Sequence, residues 1–135
     1  FFHKIPIKFE IEITKQFKIL GNYPTLFISA LTKQRVSKVL DFVWNVYQAR
    51  QQKINTKDLN SWLEKVQRIK APPAPKGKEI KIKFMTQVNV SPPIFACFCN
   101  YPKLMPASYQ RFFENQFRES FNFEGVPLIF SFRKK

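Results

Sequence analysis

Glycine is scarce in this chain: it occurs three times in 135 residues, as Gly21, Gly77 and Gly125. A loop that cradles phosphates needs glycine because backbone N–H groups must come close to the phosphate oxygens. The sequence contains no Gly-x-x-x-x-Gly-Lys-Ser/Thr run and no recognisable group to hold Mg²⁺ or to position an attacking water. We therefore expect that this chain alone does not hydrolyse a nucleoside triphosphate.

Histidine and cysteine are almost absent, which limits catalytic and metal-binding chemistry. The single histidine, His3, has no plausible catalytic partner nearby in the sequence. Cys97 and Cys99 are two residues apart in an apolar stretch, so on a strand they share one face and are poorly placed for a disulfide. A Cys-x-Cys metal site would need further ligands. We interpret both cysteines as small core residues in a reducing compartment, and we predict no metal site.

Long apolar runs are also missing. No segment approaches the ~20 apolar residues that span a bilayer, so we expect no membrane partner. The chain opens with Phe1-Phe2-His3 and lacks an initial methionine. From this beginning we expect a fragment, or the ordered part of a longer protein.

Acidic residues are few relative to basic ones. The chain has 9 Asp and Glu against 23 Lys and Arg, which gives a formal net charge of +14 and a pI of about 10.0. Phosphate-rich polymers attract such a chain, and counterion release favours their binding. The alternative is a lysine-rich surface that reflects genome composition. With 44% hydrophobic residues and 16 Phe, the chain can form a core packed by phenylalanine.

The first part of the chain reads as a helix, a short strand and another helix. Between Ile7 and Leu20 the apolar residues fit both a helix and an alternating strand. We favour a helix that Gly21-Asn22 ends, because Thr25–Ile28 then forms a short buried strand. From Val36 to Arg50 apolar residues recur at three- and four-residue steps, which predicts an amphipathic helix.

A polar joint at Gln51–Asn55 precedes a further helix, which Thr56 can cap. Its apolar stripe consists of Leu59, Trp62, Leu63, Val66 and Ile69. Ser108 can cap the last helix, whose aromatic stripe consists of Tyr109, Phe112, Phe113, Phe117 and Phe121. At helical spacing beside two strands, this stripe is typical of a core rather than of a surface that stacks bases. Trp44 and Trp62 are interpreted as packing residues as well.

Three strands are predicted in the second part of the chain. Alternation from Ile80 to Val90 indicates a half-buried strand with Phe84 on its apolar side. The polar side of this strand carries Lys81, Lys83, Met85, Gln87 and Asn89. Ile94–Cys99 and Leu128–Phe132 are the other two strands. The order α-β-β-α-β predicts an α+β domain of about eighty residues, a three-stranded sheet with helices on one face.

Several spaced motifs now resemble a known family. They are Ser29-Ala30-Leu31-Thr32, Ile54-Asn55-Thr56, Thr86-Gln87-Val88, Pro92-Pro93-Ile94-Phe95, Ser108-Tyr109-x-Arg111-Phe112, Glu114-Asn115-Gln116-x-Arg118-Glu119 and Phe123-Glu124-Gly125-x-Pro127. In this order and with these gaps, the stretch from about Tyr23 to Arg133 resembles the C-terminal end of the double-GTPase ribosome assembly factors called Der or EngA. That family has two tandem GTPase domains and a C-terminal K-homology-like (KH-like) domain.

The resemblance implies that residues 1–52 are the C-terminal end of a GTPase domain, an α/β remnant of the P-loop NTPase class. It implies that residues 53–135 are an α+β KH-like RNA-binding domain. The backbone of Ser29, Ala30 and Leu31 would contact guanine, so GTP would be the cofactor of the whole protein, although the chain has no phosphate loop and no Asn-Lys-x-Asp motif. Lys33 stands where the family has glycine, which argues against tight guanine binding. Further departures are Asn122 for Gly, Val126 for Thr and Met85 for Ala.

The function implied is GTP-dependent assembly of the large ribosomal subunit, with a basic KH-like domain that binds ribosomal RNA. Expected partners are ribosomal RNA, the precursor large subunit and the upstream GTPase domains of the same protein. The candidate RNA-binding residues are Lys76, Lys78, Lys81, Lys83, Arg111, Arg118, Arg133, Lys134 and Lys135. No Gly-x-x-Gly loop is present, so we expect contacts to the RNA backbone and shape rather than base reading through that loop.

Two other functions stay open at the level of sequence. One is a stand-alone RNA-binding ribosomal or organellar protein without GTPase activity. The other is an interaction domain whose charge is incidental, which RNA affinity and its salt dependence would distinguish from the first two. The basic, Phe-rich composition and the Gly-to-Lys change lead us to favour a mitochondrion or another organelle matrix, with the bacterial cytoplasm as the alternative.

Overall fold

The computed structural model describes residues 5–17 and 23–134, and it divides the chain into two units. The first unit comprises Phe1–Ala49 with Glu124–Val126, and the second comprises Arg50–Phe123 with Pro127–Lys135. Across the part of the chain that is described, no helix has both the length and the apolar character needed to cross a membrane.

The first unit begins with helix α1, Ile5–Gln16. The sequence prediction of a helix here is confirmed, although the helix starts and ends earlier than the range Ile7–Leu20. The expected stop at Gly21-Asn22 lies outside the described residues, as does His3. Two apolar side chains of α1, Phe9 and Ile11, are exposed.

The short strand expected at Thr25–Ile28 is not formed. The backbone there belongs to no strand, and the described residues of the first unit hold a single isolated bridge, in which Ser29 N–H donates to the Gln34 carbonyl at 3.1 Å. A strand needs a neighbour to satisfy its N–H and C=O groups. The described residues of this unit supply no adjacent strand, which is the physical reason for the difference.

Helix α2 spans Lys38–Arg50, within the range that periodicity predicted, and none of its residues is buried. Leu40 is 74% exposed, Val43 61% and Trp44 58%. The expectation that Trp44 is a packing residue is therefore wrong for this chain. Its ring stacks on Tyr47 with centroids 5.7 Å apart, and both residues are more than half exposed.

The second unit is a mixed three-stranded sheet with two helices. After helix α3, Thr56–Ile69, come strands β1, Ile82–Asn89, and β2, Ile94–Cys99; helix α4, Ala107–Ser120, then leads to strand β3, Ile129–Lys134. The sheet order is β1-β2-β3. The β1–β2 pair is antiparallel and the β2–β3 pair is parallel, because a helical crossover returns the chain in the direction of β2. This is an α+β domain, as expected.

Helix α3 is capped by Asn55 rather than by Thr56. The Asn55 side chain accepts a hydrogen bond from Lys57 N–H at 2.9 Å, and Thr56 is the first helical residue. Four members of the expected stripe are buried: Leu59, Trp62, Leu63 and Val66. Ile69 is 68% exposed, because it ends the helix and the chain turns extended at Lys70.

Helix α4 provides the aromatic centre of the core. Tyr109, Phe113 and Phe117 are buried, which confirms the core interpretation of this stripe. The Phe117 ring lies 4.7 Å from Phe95 of β2 and 5.0 Å from Trp62 of α3, between centroids. Such offset and edge-to-face ring pairs add to the free energy gained by burial.

The start of α4 differs from the expectation in one respect. Pro106 occupies the N-cap position and makes no side-chain capping bond. Ser108 is therefore inside the first turn, where the fixed φ of the preceding proline has already set the helix entry. Capping by Ser108 is not observed.

Strand β1 contains an irregularity that the alternating pattern did not reveal. Pairing with β2 shifts register between Ile82 and Phe84. As a result Met85 is fully buried and Phe84 is 39% exposed, the reverse of the predicted faces. An extra residue on one strand turns every following side chain to the opposite face.

Two amide side chains of α3 hydrogen-bond to backbone groups at the outer edge of β1. The Asn60 amide accepts from Met85 N–H at 2.9 Å and donates to the Met85 carbonyl at 2.9 Å and the Thr56 carbonyl at 2.7 Å. Gln67 Nε2 donates to the Ile82 carbonyl at 3.1 Å. These bonds replace the strand neighbour that an edge lacks.

The two cysteines lie on the helix-covered face of β2. Both are free and buried, in agreement with their interpretation as small core residues. Burial, with a smaller contribution from Cys99, raises the pKa of Cys97 from 9.0 to about 12. Since the thiolate is the reactive form, very little of Cys97 is in its reactive form at neutral pH.

Candidate nucleic-acid interface

Three lysines from three different elements line one groove at an end of the sheet. Lys83 belongs to β1, Lys134 to β3, and Lys103 to a 3₁₀ turn, Pro102–Leu104, between β2 and α4. The groove has a volume of about 640 Å³ and is also lined by Cys99, Asn100, Tyr101, Pro102 and Leu104. None of the described lining residues is acidic, so the groove is positive. We refer to it below as the basic groove.

The position of the groove depends on Asn100, the residue after β2. Its Nδ2 donates to the Glu79 carbonyl at 2.8 Å, and its Oδ1 accepts from Lys81 N–H at 2.9 Å. These two bonds tie the segment that precedes β1 to the end of β2. Tyr101 follows directly, and its carbonyl accepts from Leu104 N–H at 3.1 Å, which closes the turn that carries Lys103.

Lys78 adds a fourth cation beside the groove. Its Nζ lies 5.5 Å from the centroid of the Tyr101 ring, which is a cation–π distance. Lys78 is exposed, so this contact orients the ammonium group without removing it from solvent. Of the candidates from sequence, Lys78, Lys83 and Lys134 thus come together.

Lys103 and Tyr101 were missed by the sequence analysis. The pattern placed both in a loop between β2 and the last helix, and a loop lysine carries no periodic signal. What makes Lys103 part of the groove is the approach of that turn to the ends of β1 and β3, which is a long-range contact. A Tyr-Pro-Lys run that directly follows a predicted strand was the one available indication.

Lys81 has a different environment from Lys83. It precedes β1, and its Nζ lies 3.3 Å from Glu79 Oε2, with both side chains well exposed. The two lysines do share a second shallow depression, but Glu64 and Glu79 line it too. Charges of both signs therefore meet there, with Arg68 as a further cation, unlike in the basic groove.

The other loop and helix candidates are exposed but are not part of the groove. Lys76 has a positive φ of 53° in the turn Pro75–Gly77, and its side chain is free to extend into solvent. Arg111 is exposed on α4. Lys135 lies outside the described residues.

Arg118 is held within the protein surface. Its side chain is 14% exposed, and its Nη2 lies 3.0 Å from Glu114 Oε1 one helical turn earlier. Its Nη1 donates to the Phe123 carbonyl at 3.0 Å. Because these contacts occupy the guanidinium, we leave Arg118 out of the set proposed to bind RNA.

Arg133 lies on the face of the sheet that the helices leave open. It pairs in register with Phe98 of β2, and its Nε donates to Ser131 Oγ at 3.1 Å. The guanidinium is therefore directed along this face, away from the helical layer.

The candidate guanine-binding residues form an exposed turn. Ser29 Oγ accepts from Thr32 N–H at 3.2 Å, Ala30 is exposed, and Leu31 is 95% exposed. Lys33 and Arg35 both adopt positive φ, 56° and 60°. The turn is closed by its own hydrogen bonds.

Comparison with known proteins matches residues 53–133 to a family model, the KH-domain-like C-terminal domain of EngA bacterial GTPase enzymes. Similar curated proteins share the name GTPase Der. One from Chloroherpeton thalassium is 44% identical over 134 residues, 98% of this chain and 30% of that protein. Others come from Desulforamulus reducens, 42% identical over 128 residues, and Fusobacterium nucleatum, 41% identical over 128 residues; each alignment covers 95% of this chain and 29% of that protein.

The chain thus spans about 30% of the length of these relatives. The family description names bacterial enzymes, so the comparisons do not support the organelle that composition had favoured. The match covers α3, the three strands and α4, together with every residue of the basic groove except Lys134. The chain therefore belongs to the family of KH-like C-terminal domains of the EngA bacterial GTPases.

Proposed function

We propose that this chain is the C-terminal portion of a GTP-dependent large ribosomal subunit assembly factor, and that its KH-like domain binds ribosomal RNA. The observation that carries the proposal is the basic groove. Lys83, Lys103 and Lys134 converge on it from three elements, and no described lining residue is acidic. Convergent cations without acidic partners attract phosphates.

The mode of binding that we propose is contact with phosphates of structured RNA. Ammonium groups on long side chains neutralise phosphates but do not read bases. Lys78, held over Tyr101, extends the positive surface beyond the groove, and Lys76 stands two residues earlier on an exposed turn. Partners proposed on this basis are ribosomal RNA and the precursor large subunit.

For the first part of the chain we propose the end of a GTPase domain, over residues 1–52, joined to the KH-like domain, residues 53–135. The supporting observation is that α2 buries none of its residues and that no strand forms at Thr25–Ile28. A sheet that continues this segment would pair with the strand and cover the helix. Ser29, Ala30 and Leu31 would then contact guanine, and GTP would be the cofactor of the whole protein, in the bacterial cytoplasm.

A stand-alone RNA-binding ribosomal protein without GTPase activity is the second candidate. The observation that favours it is Lys33, which stands where the family has glycine. It has a positive φ and lies beside the candidate guanine turn, and this argues against tight guanine binding. Guanine-nucleotide affinity of the protein that contains this chain separates the two candidates. The second candidate is expected to bind RNA but not guanine nucleotides.

The test of RNA binding is a salt titration with the 135-residue chain and a structured ribosomal RNA fragment. The variant K83Q/K103Q/K134Q removes the three groove lysines, and K57Q/K65Q removes two exposed lysines of α3 as a control. We expect the log–log salt slope to fall by about 0.9 for each phosphate contact removed, with the control close to wild type. An unchanged slope and affinity in the groove variant would contradict the proposal.

A further inference from the structure

One face of the sheet in the second unit is left open by the helices. Both α3 and α4 pack on the face that carries Met85 and Phe95: Asn60 bonds to the Met85 backbone, and the Phe117 ring lies 4.7 Å from Phe95. On the opposite face, side chains form rows across the three strands. One row is Phe84, Phe98 and Arg133; the next is Thr86, Ala96 and Ser131.

The first row presents two aromatic rings side by side. The centroids of Phe84 and Phe98 are 6.2 Å apart, with the ring planes inclined at 35°. Phe84 is 39% exposed, and Phe98 is partly exposed. The register shift in β1 is what turns Phe84 to this side. A bulge that moves a large aromatic from the core face to the surface loses burial, which is a reason to look for a ligand of that ring.

The charged side chain in the same row as these rings is positive. Arg133 follows Phe98 in the same row and is held over the face by its bond to Ser131 Oγ, at 3.1 Å. The three strand sequences contain no acidic residue. An aromatic pair bordered by a guanidinium complements a ligand that combines a π-face with a negative charge.

We propose that Phe84 and Phe98 form a stacking platform for unpaired bases of RNA, with Arg133 on the adjoining phosphate. The proposal rests on the proposed function, since the ligand is RNA in both cases. It adds a requirement that the basic groove does not impose: phosphates of a duplex satisfy the groove, whereas a base can stack on the rings only when it is unpaired. Stacking tolerates any base, because every base has a π-face.

The test compares single-stranded and duplex RNA of the same length, ~10 nucleotides, by fluorescence anisotropy with the 135-residue chain at fixed salt. The variant F84L/F98L keeps the apolar character of both positions and removes the rings. We expect its affinity for single-stranded RNA to fall tenfold or more and its affinity for the duplex to stay within twofold. F84Y/F98Y, which restores rings, should bind single-stranded RNA like the wild type. Thermal unfolding of each variant verifies the fold.

A matched control is V88A/I129A, which truncates two exposed apolar residues of the same sheet, 47% and 46% exposed. If this control loses as much affinity as F84L/F98L, the face is an apolar docking surface and the stacking proposal is wrong. Equal losses on single-stranded and duplex RNA also contradict it, as does unchanged affinity of F84L/F98L for single strands.

Failure of this inference can be told apart from failure of the proposed function by the variant K103Q/K134Q. Loss of duplex binding in K103Q/K134Q with wild-type behaviour of F84L/F98L leaves the phosphate groove in place and rejects the stacking platform. Unchanged RNA binding of K103Q/K134Q rejects the groove, whatever the phenylalanine variant does.

Discussion

Two amphipathic helices of nearly equal length behave differently in this chain. Helix α2 has 13 residues and buries none of them, whereas α3 has 14 residues and buries Leu59, Trp62, Leu63 and Val66. Both carry apolar residues at three- and four-residue steps. The difference shows that periodicity determines which residues share a face, while burial depends on a surface that covers the face.

The same contrast extends to the strands. Ile94–Cys99 has the apolar composition of a buried strand and forms β2 between two neighbours. Thr25–Ile28 has a similar composition and forms no strand, because the described residues of the first unit offer no strand to pair with. The second unit buries a core between its sheet and two helices, whereas none of residues 23–50 is buried. We therefore expect the two parts to differ in how far each can fold alone.

The largest effect that would test this comparison is separation of the two parts. We expect residues 53–135, expressed alone, to unfold in one cooperative thermal transition, because the sheet and both helices bury a shared aromatic core. Residues 1–52 should show no cooperative transition, since too little surface is buried. Circular dichroism melts check both results. A cooperative transition for residues 1–52 would remove the basis of the comparison.

One substitution in each region compares how much a ring of that region contributes to the free energy of unfolding. Phe117→Ala removes a fully buried ring that contacts Trp62 and Phe95, and we expect a loss of about 3–5 kcal/mol in the free energy of unfolding. Trp44→Ala removes a ring that is 58% exposed and should change that free energy by less than about 0.5 kcal/mol. Urea unfolding of the 135-residue chain measures both. Comparable losses would mean that Trp44 is covered in solution.

A smaller effect is expected at the outer edge of β1, where the Asn60 side chain bonds the strand backbone. Asn60→Ala removes the amide that bonds the Met85 N–H and carbonyl at the edge of β1. We expect a loss of about 1–3 kcal/mol, because the backbone groups of Met85 lose their partners. Asn115→Ala, at an exposed position of α4, is the control and should be close to neutral. If Asn60→Ala is also neutral, the edge of β1 does not depend on this side chain.

The parts of the second unit that sequence predicted were those with local signals. The stripes of α3 and α4 and the apolar run of β2 follow from spacing alone, and the core role of Phe113 and Phe117 followed from them. The sequence did not predict which side chains of β1 face the core, because the register shift after Ile82 is set by pairing with β2. The helix starts were also predicted one or two residues too late, since the observed N-caps are Asn55 and Pro106 rather than Thr56 and Ser108.

The candidate site was predictable only as a set of charges. Lys78, Lys83 and Lys134 were named from sequence together with Lys81, whose partner Glu79 lies only two residues away; the convergence of the first three depends on tertiary contacts. Arg118 also looked like an RNA contact, although Glu114 stands one turn earlier on the predicted helix. Its bond to the Phe123 carbonyl depends on the path of the chain after α4. Lys103 was missed because its place in the groove comes from tertiary contacts.

We propose that the basic groove, rather than the overall charge of +14, is responsible for RNA binding. The most direct measurement compares two charge-matched variants of the 135-residue chain, K83Q/K103Q/K134Q in the groove and K8Q/K15Q/K38Q at exposed lysines of the first unit, for affinity to structured ribosomal RNA at fixed salt. Each removes three positive charges. We predict that the groove variant loses affinity about tenfold or more while the first-unit variant stays within about twofold. Equal losses in the two variants would contradict the account.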